Sequence, residues 1–286
     1  MPNLKDIRKR IASVNNTKKI TRAMKLVSTA KLKRAQDGMS ELRPYAAKYR
    51  ELLASLAGQL GGEAAHALME RREEVRRIGV FVLSSDRGMC GGFNAQVQKR
   101  LLKLRREQSA ELVIYPLGRR VVKFTDKAGF TIGRAFGEIT TSTSVDAVRA
   151  VTETLVEAFL GGEVDEVILI FNEFRSVISQ TVAQRPLLPV SAPTDAAPVE
   201  AAGDLIYEPD QRSLLAYVVP RFVEVQVRQA ILESIAGEHA ARMNAMSNAT
   251  DNATEMIKAL TLQANRARQA AITKELMEII GGAEAI

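Results

Sequence analysis

The apolar positions of this chain change their period twice, and the changes divide it into segments. Near the N-terminus Leu4, Ile7, Ile11 and Val14 step by three, four and three. Ala35, Met39, Leu42, Ala46, Tyr49, Leu53, Leu56 and Leu60 keep the same rhythm. This is a heptad seam, the pattern of one helix laid along another. It predicts a coiled-coil helix over residues 1–60. Between the two runs the apolar stripe moves by one residue to Ile20, Met24 and Val27, and polar residues take the strict register. Pro44 is expected to bend this helix or weaken it locally.

From residue 77 to 190 the period shortens. "IGVFVLSS" (78–85) predicts a buried strand, followed by a Gly-rich turn and a helical stretch from Asn94 to Gln108. "ELVIYPLG" (111–118) is a second strand with a short helix after it, and "FTIGRAF" a weaker third. "SVDAVRAVTETLVEAFLGG" reads as a capped amphipathic helix ending at Gly161 and Gly162. "VDEVILIFNEF" and "SQTVAQRPLLPV" complete the strands. Alternating strands and helices mean a mostly parallel, Rossmann-like α/β domain.

Residues 191–210, rich in Pro, Ala and acid, predict an exposed linker. Residues 211–286 carry a second helical seam: Val225, Leu232, Ala236, His239, Met243, Met246, Ala253, Ile257, Leu260, Ala264, Ala267 and Ala271. Pro220 is expected to interrupt it early. The small residues of its later half let two backbones approach closely. The fold class predicted is therefore α/β: a long antiparallel coiled coil of the N- and C-terminal helices, with a Rossmann-like α/β domain inserted between them.

At about 1.5 Å per residue the second helix is near 105 Å and the first near 85 Å, so the C-terminal helix should overhang by roughly 20 Å. That overhang contains "ITKELMEIIGGAEAI" (272–286), where Ile272, Leu276, Ile279 and Ile280 form an apolar stripe. A lone amphipathic tip is stable only when other chains enclose it.

Charge sharpens this picture. Residues 1–50 carry 14 Lys or Arg against Asp6, Asp37 and Glu41, a balance of +11 in a chain of net charge +7, so the other 236 residues sum to −4. The whole positive excess sits on the first helix, which suits an acidic protein, nucleic acid or an anionic surface. No run approaches the roughly 18 apolar residues of a membrane span, and a cytosolic location is expected. The single cysteine, Cys90, cannot form an internal disulfide.

Catalytic chemistry is hard to place. The turn "SSDRGMCGGFN" (84–94) lies between a strand and a helix, where a phosphate loop would sit. Its glycines at 88, 91 and 92 fit neither common phosphate fingerprint, and the turn holds no Lys. A tight turn needing glycine backbone angles is the simpler reading. Cys90 as a nucleophile would need a base, and the two histidines, His66 and His239, fall on a loop and on the coiled-coil seam. No spacing of Cys or His suits a metal. Two alternatives to a mechanical role stay open on the residues alone: a dinucleotide-dependent enzyme, and a basic coiled-coil nucleic-acid binder without aromatic interleaving.

Four stretches carry a resemblance: "DIRKRIASVNNTKKITRAMKLVSTAKLKRAQ" (6–36), "SDRGMCGGFN" (85–94), "YEPDQ" (207–211), and "EHAARMNAMSNATDNATEMI" followed by "LTLQANRARQAAITKELMEIIGGAEA". Together and in order they resemble the gamma subunit of F-type ATP synthase in its bacterial form. Ala264 departs from the aromatic usual there, and Ser247 from a common Lys. The resemblance implies a non-catalytic central rotor without cofactor. Its coiled coil would turn inside a hexamer of alpha and beta subunits, with its base on the membrane ring of c subunits and the epsilon subunit alongside. It would reach the cytoplasmic face of the bacterial plasma membrane only through these partners. By resemblance Met24, Arg242, Arg268, Gln269, Thr273 and Glu275 face a beta subunit, and Tyr207 and Glu208 face the c ring. No nucleic-acid partner is implied.

Overall fold

The computed structural model describes residues 4–59, 66–138, 144–191 and 210–283, without the side chains of 57–59 and 281–283. Its elements are helix α1 (Leu4–Gln59), a one-turn 3-10 helix (Ala67–Met69), β1 (Arg77–Leu83), α2 (Phe93–Glu107), β2 (Glu111–Leu117) and α3 (Arg119–Lys127). There follow β3 (Thr131–Ile132), α4 (Val145–Leu160), β4 (Glu166–Phe174), β5 (Gln180–Leu188) and α5 (Gln211–Ala283). The residue contacts divide the chain into two compact units: residues 1–29 with 242–286, and residues 30–241. The structure of the mostly parallel α/β segment and of both long helices agrees with the fold class that the sequence predicts.

In the larger unit the strands stand in the order β3-β2-β1-β4-β5. The first four are parallel, and β5 pairs antiparallel with β4 at one edge. Period-two alternation sends Ile78, Val80, Val82, Ile114, Ile168 and Ile170 to one face, where they pack with Val97, Leu101 and Leu104 of α2 and Val121 of α3. Helix α4 contacts β4 and buries Val148, Val151, Leu155 and Phe159. Its start is fixed as the sequence suggests: Ser144 Oγ accepts from Ala147 N at 3.2 Å. The N-terminus of α5 is set by Asp210, whose Oδ1 accepts from Ser213 N at 2.9 Å and whose Oδ2 accepts from Ser213 Oγ at 2.7 Å. These bonds hold the Asp210 carboxyl below its ordinary value.

One expectation fails here. Pro220 does not interrupt α5, and Pro44 too lies inside a continuous helix, α1. An interior proline costs about 3 kcal/mol. Around Pro220 the side chains of Leu215, Val218, Val219, Phe222 and Val223 are all buried. At about 1.5–3 kcal/mol each, that burial outweighs the lost hydrogen bond. Around Pro44 the seam residues Leu42, Leu53 and Leu56 do the same for α1. The segment at 191–210 lies outside the described residues except for Ser191 and Asp210.

Candidate partner-binding surface

In the smaller unit α1 and α5 run antiparallel, and their mutual seam is unusually polar. Thr21 Oγ1 and Thr250 Oγ1 share a hydrogen bond of 2.7 Å, and Lys25 Nζ donates to Ser247 Oγ at 3.1 Å. Thr21 and Ser28 are buried, whereas Ile20 and Val27 are more than half exposed and Met24 is half-buried. The displaced apolar stripe of Ile20, Met24 and Val27 is therefore not the contact with α5. The strict register holds through Lys18, Thr21, Lys25 and Ser28, because a helix cannot turn its face between Val14 and Leu32 without breaking its own ladder. Ile20, Leu26 and Val27 are left on the outer surface of α1.

The same register locates the overhang. Seventeen residues back from Thr21 is Leu4, and seventeen forward from Thr250 is Ala267. Ala264 and Ala267 are half-buried, and every described side chain from Arg268 to Ile280 is exposed. Ile272, Leu276, Ile279 and Ile280 are 49–68 % exposed. The 16 residues of α5 from Arg268 to Ala283 thus extend past the first described turn of α1 by about 24 Å. The described side chains of this stretch carry the Lys274–Glu278 pair at 3.5 Å and the bond from Thr273 Oγ1 to Gln269 O at 3.0 Å.

The residues assigned to a beta-facing contact do not form one constellation. Arg242 is buried at the start of the unit's share of α5. Arg268, Gln269, Thr273 and Glu275 lie on the exposed overhang. Arg242 and Glu275 are 33 residues apart on one helix, about 50 Å. Such a spread suits a rod touched at several levels and does not suit an active site. Tyr207 and Glu208 lie outside the described residues.

In the larger unit the Gly-rich turn is closed upon itself. Ser85 N donates to Asn94 Oδ1 at 3.1 Å, Ser85 Oγ donates to Arg87 O at 2.6 Å, and Asn94 Nδ2 donates to Cys90 Sγ at 3.2 Å. Cys90 is buried, and Met89 and Gly91 take positive φ of 60° and 58°. The free amides at the start of α3 are also taken: Arg119 N by Asp86 Oδ1, Arg120 N by Ser85 O, and Val121 N by Ser84 Oγ, at 2.9–3.1 Å. An α/β sheet takes ligands at the carboxyl ends of its strands where the order reverses, here between β1 and β4. Helix α5 occupies that place. A Cβ on Gly237 would lie 3.5 Å from Asn172 of β4 and 3.5 Å from the Phe93 ring at the start of α2. Residues 230–240 of α5 are buried without exception.

One feature was not legible as a site. Glu41, Tyr45 and Tyr49 of α1 and Tyr217, Arg221, Glu224 and Arg228 of α5 line a groove of about 470 Å³. Arg221 pairs with Glu224 at 2.7 Å and lies 5.9 Å from the Tyr217 ring. Burial, and then the neighbouring Tyr217, push the Tyr49 hydroxyl above its ordinary pKa. The sequence signal is the pair Tyr45 and Tyr49 at helical spacing in a chain with five tyrosines.

The smaller unit is an antiparallel helix pair with an exposed apolar end, and within the larger unit α5 fills the crevice where the sheet would take a ligand. The family model described as ATP synthase matches residues 3–286. The chain is 45% identical to the ATP synthase gamma chain of Trichlorobacter lovleyi, over 100% of this chain and 99% of that one. It is 46% identical to the corresponding chain of Geobacter metallireducens, with the same coverage. A chain of the Euglena gracilis mitochondrial ATP synthase structure (OSCP/F1/c-ring, rotational state 3) shares its fold at a TM-score of 0.67 and 18% identity, covering 99% of this chain and 94% of that one. A chain of the Tetrahymena thermophila central stalk/c-ring structure does so at 0.60 and 23% identity, covering 80% of this chain and 99% of that one. The chain belongs to the ATP synthase gamma-chain family, the central stalk of the F-type enzyme.

Proposed function

We propose that this chain is a non-catalytic rotor shaft, enclosed at its α5 end by a ring of alpha and beta subunits and seated at its other end on the c ring beside epsilon. The observation that carries this reading is the overhang. Four large aliphatic side chains stand in solvent on a helix with no partner beside it. Leaving a tip so apolar unenclosed costs stability that burial inside a sleeve recovers, about 25 cal/mol per Å² of apolar surface. The basic face of α1, with Lys19 and Arg22 exposed and Lys18 half-buried, supplies a distributed positive field for acidic loops of the beta subunits. Met24, Arg242, Arg268, Gln269, Thr273 and Glu275 are proposed as beta-facing contacts at successive levels, and Tyr207 and Glu208 as c-ring contacts. No helix among the described residues is long and apolar enough to cross a membrane. We place the chain peripherally, on the cytoplasmic face of the bacterial plasma membrane.

The test is co-assembly. Full-length chain mixed with purified alpha and beta subunits should form a complex that survives gel filtration. The variant Ile272→Asp, Leu276→Asp, Ile279→Asp should form it in much lower yield. Equal yields would remove the sleeve. A complex of normal yield that does not rotate during ATP hydrolysis when Arg268 and Gln269 are intact would remove the shaft.

A further inference from the structure

We propose that Glu233 is a proton-operated latch that fastens α5 to the β4–β5 edge of the sheet. Glu233 is only 5% exposed and sits in the wholly buried stretch of α5. Its Oε1 accepts from Gln229 Nε2 at 2.8 Å, while its Oε2 has no hydrogen-bond partner. The nearest cation is Arg185 of β5, with Nη2 at 3.9 Å from Oε2. That guanidinium is already engaged: it bonds Glu173 of β4 and lies 5.1 Å from the Phe171 ring centre. Glu173 also accepts from Arg175 Nε at 3.0 Å. Two carboxylates therefore compete for Arg185, and the better hydrogen-bonded one is Glu173.

On its other side Glu233 meets α1. Arg43 and Arg50 stand on the wall of a groove of about 260 Å³, with Met39, Leu42, Ala46 and Ala47 between and around them, and Gln229 and Glu233 opposite. No hydrogen bond or ion pair joins either arginine to Glu233. The groove gives water a path to a carboxylate that is otherwise enclosed. The charged groups around Glu233 are thus Glu173 and Arg185 from the sheet, with Arg175 bonded to Glu173, and Arg43 and Arg50 from α1.

The direction of the effect follows from this arrangement. Burial pushes the Glu233 carboxyl above its ordinary value, against the opposing pull of Gln229 and Arg185, and Glu173 adds to the rise. Glu173 itself is held below the ordinary range, chiefly by Arg175. The packed state of α5 on β4–β5 therefore binds a proton at Glu233 more tightly than an opened state does, so proton uptake tightens the joint. The proton makes Oε2 a hydroxyl donor and ends the competition for Arg185, which is left to Glu173. Loss of the proton returns a poorly paired charge to a largely buried site and loosens the joint. Because the two carboxyls shift in opposite directions, Glu233 alone changes charge above the ordinary carboxylate range.

Hydrogen exchange of the full-length chain tests this, measured from about pH 5 to about pH 8 and corrected for the intrinsic rate. Protection of residues 180–188 and 229–237 should fall as pH rises, approaching tenfold per pH unit inside the window between the opened-state and packed-state proton affinities. Glu233→Gln should abolish the slope and stay near the low-pH protection. Glu173→Gln, which frees Arg185 for Glu233, should shrink the fall. A flat wild-type profile, or a slope that survives Glu233→Gln, overturns the latch. Should Glu233→Gln fail to fold, an unchanged slope in Glu173→Gln overturns it, and a reduced one supports it.

Discussion

Thr21 and Thr250 meet hydroxyl to hydroxyl at 2.7 Å across the seam of the two-helix unit, where a coiled coil ordinarily places two aliphatic side chains. Each also has a fallback on its own helix: Thr21 Oγ1 can donate to Lys18 O at 3.1 Å, and Thr250 Oγ1 to Met246 O at 2.7 Å. Removing one hydroxyl therefore leaves its partner only the bond within its own helix. Thr21→Val should cost about 0.5–1.5 kcal/mol, and the pair Thr21→Val, Thr250→Val should recover most of it, since replacing both partners by apolar groups is close to neutral. Denaturant unfolding of the four proteins of the double-mutant cycle measures the coupling. A double variant as unstable as the two single losses added together would mean that the polar layer does more than satisfy itself.

Gly118 is tied to Ser84 by close approach. An ideal Cβ there would lie 2.2 Å from Ser84 O, and φ is +101°. Gly91 also has positive φ, +58°, but open space around it. Gly118→Ala should therefore destabilise by more than Gly91→Ala, which carries only the left-handed cost of about 1–2 kcal/mol. Thermal unfolding of both variants decides it. Equal losses would mean that the loops after β1 and β2 separate freely.

Asp165 predicts an acid limb. Its Oδ2 accepts from the backbone amides of Arg76 and Arg77, both at 2.8 Å, at the entry to β1. Desolvation works against ionisation here, yet the two amides and the nearby Arg72 and Arg77 hold the carboxyl below its ordinary value. A depressed native pKa means stability that is full above the unfolded value and is lost as pH falls through the native one. Asp165→Asn should lower the melting temperature at neutral pH and flatten its decline on acidification below about pH 4. An identical acid limb in wild type and variant would count against the tie.

The elements were legible in the chain wherever one physical term dominated. Alternation placed β1, β2, β4 and β5 within a residue or two of their observed ends, and Ser144 announced α4. Where the reading fell short, the missing term was packing. The sequence moves the apolar stripe to Ile20, Met24 and Val27, but apolarity marks a face without saying what covers it, and Ile20 and Val27 are exposed. Pro220 reads as an interruption because a local cost is visible in sequence, whereas the packing that offsets it is not. Gly237 could not be recognised as the residue that fills the sheet's crevice, since that contact joins positions 65 residues apart, Asn172 and Gly237. The overhang was legible because it needs only two helix lengths and a stripe. The beta-facing residues come from family likeness, because they stand at separate levels of α1 and α5 that no single local pattern joins.

The overhang gives the last prediction, in two parts that separate folding from assembly. Met277, Ile279 and Ile280 are 52–68 % exposed, so deleting residues 277–286 removes almost no packing made by the described side chains. The isolated truncated protein should melt at the wild-type temperature. In the proposed sleeve the same side chains would bury about 3–5 kcal/mol of apolar surface, and the yield of assembled complex should fall accordingly. The two-helix region below, from Arg242 to Ala267 against α1, is intact in the truncated chain and still presents an uneven, basic face. Complexes that do form should therefore keep rotating when single particles are followed during ATP hydrolysis. Normal yield with abolished rotation would reverse the assignment, making the tip the driven element and the lower rod its guide.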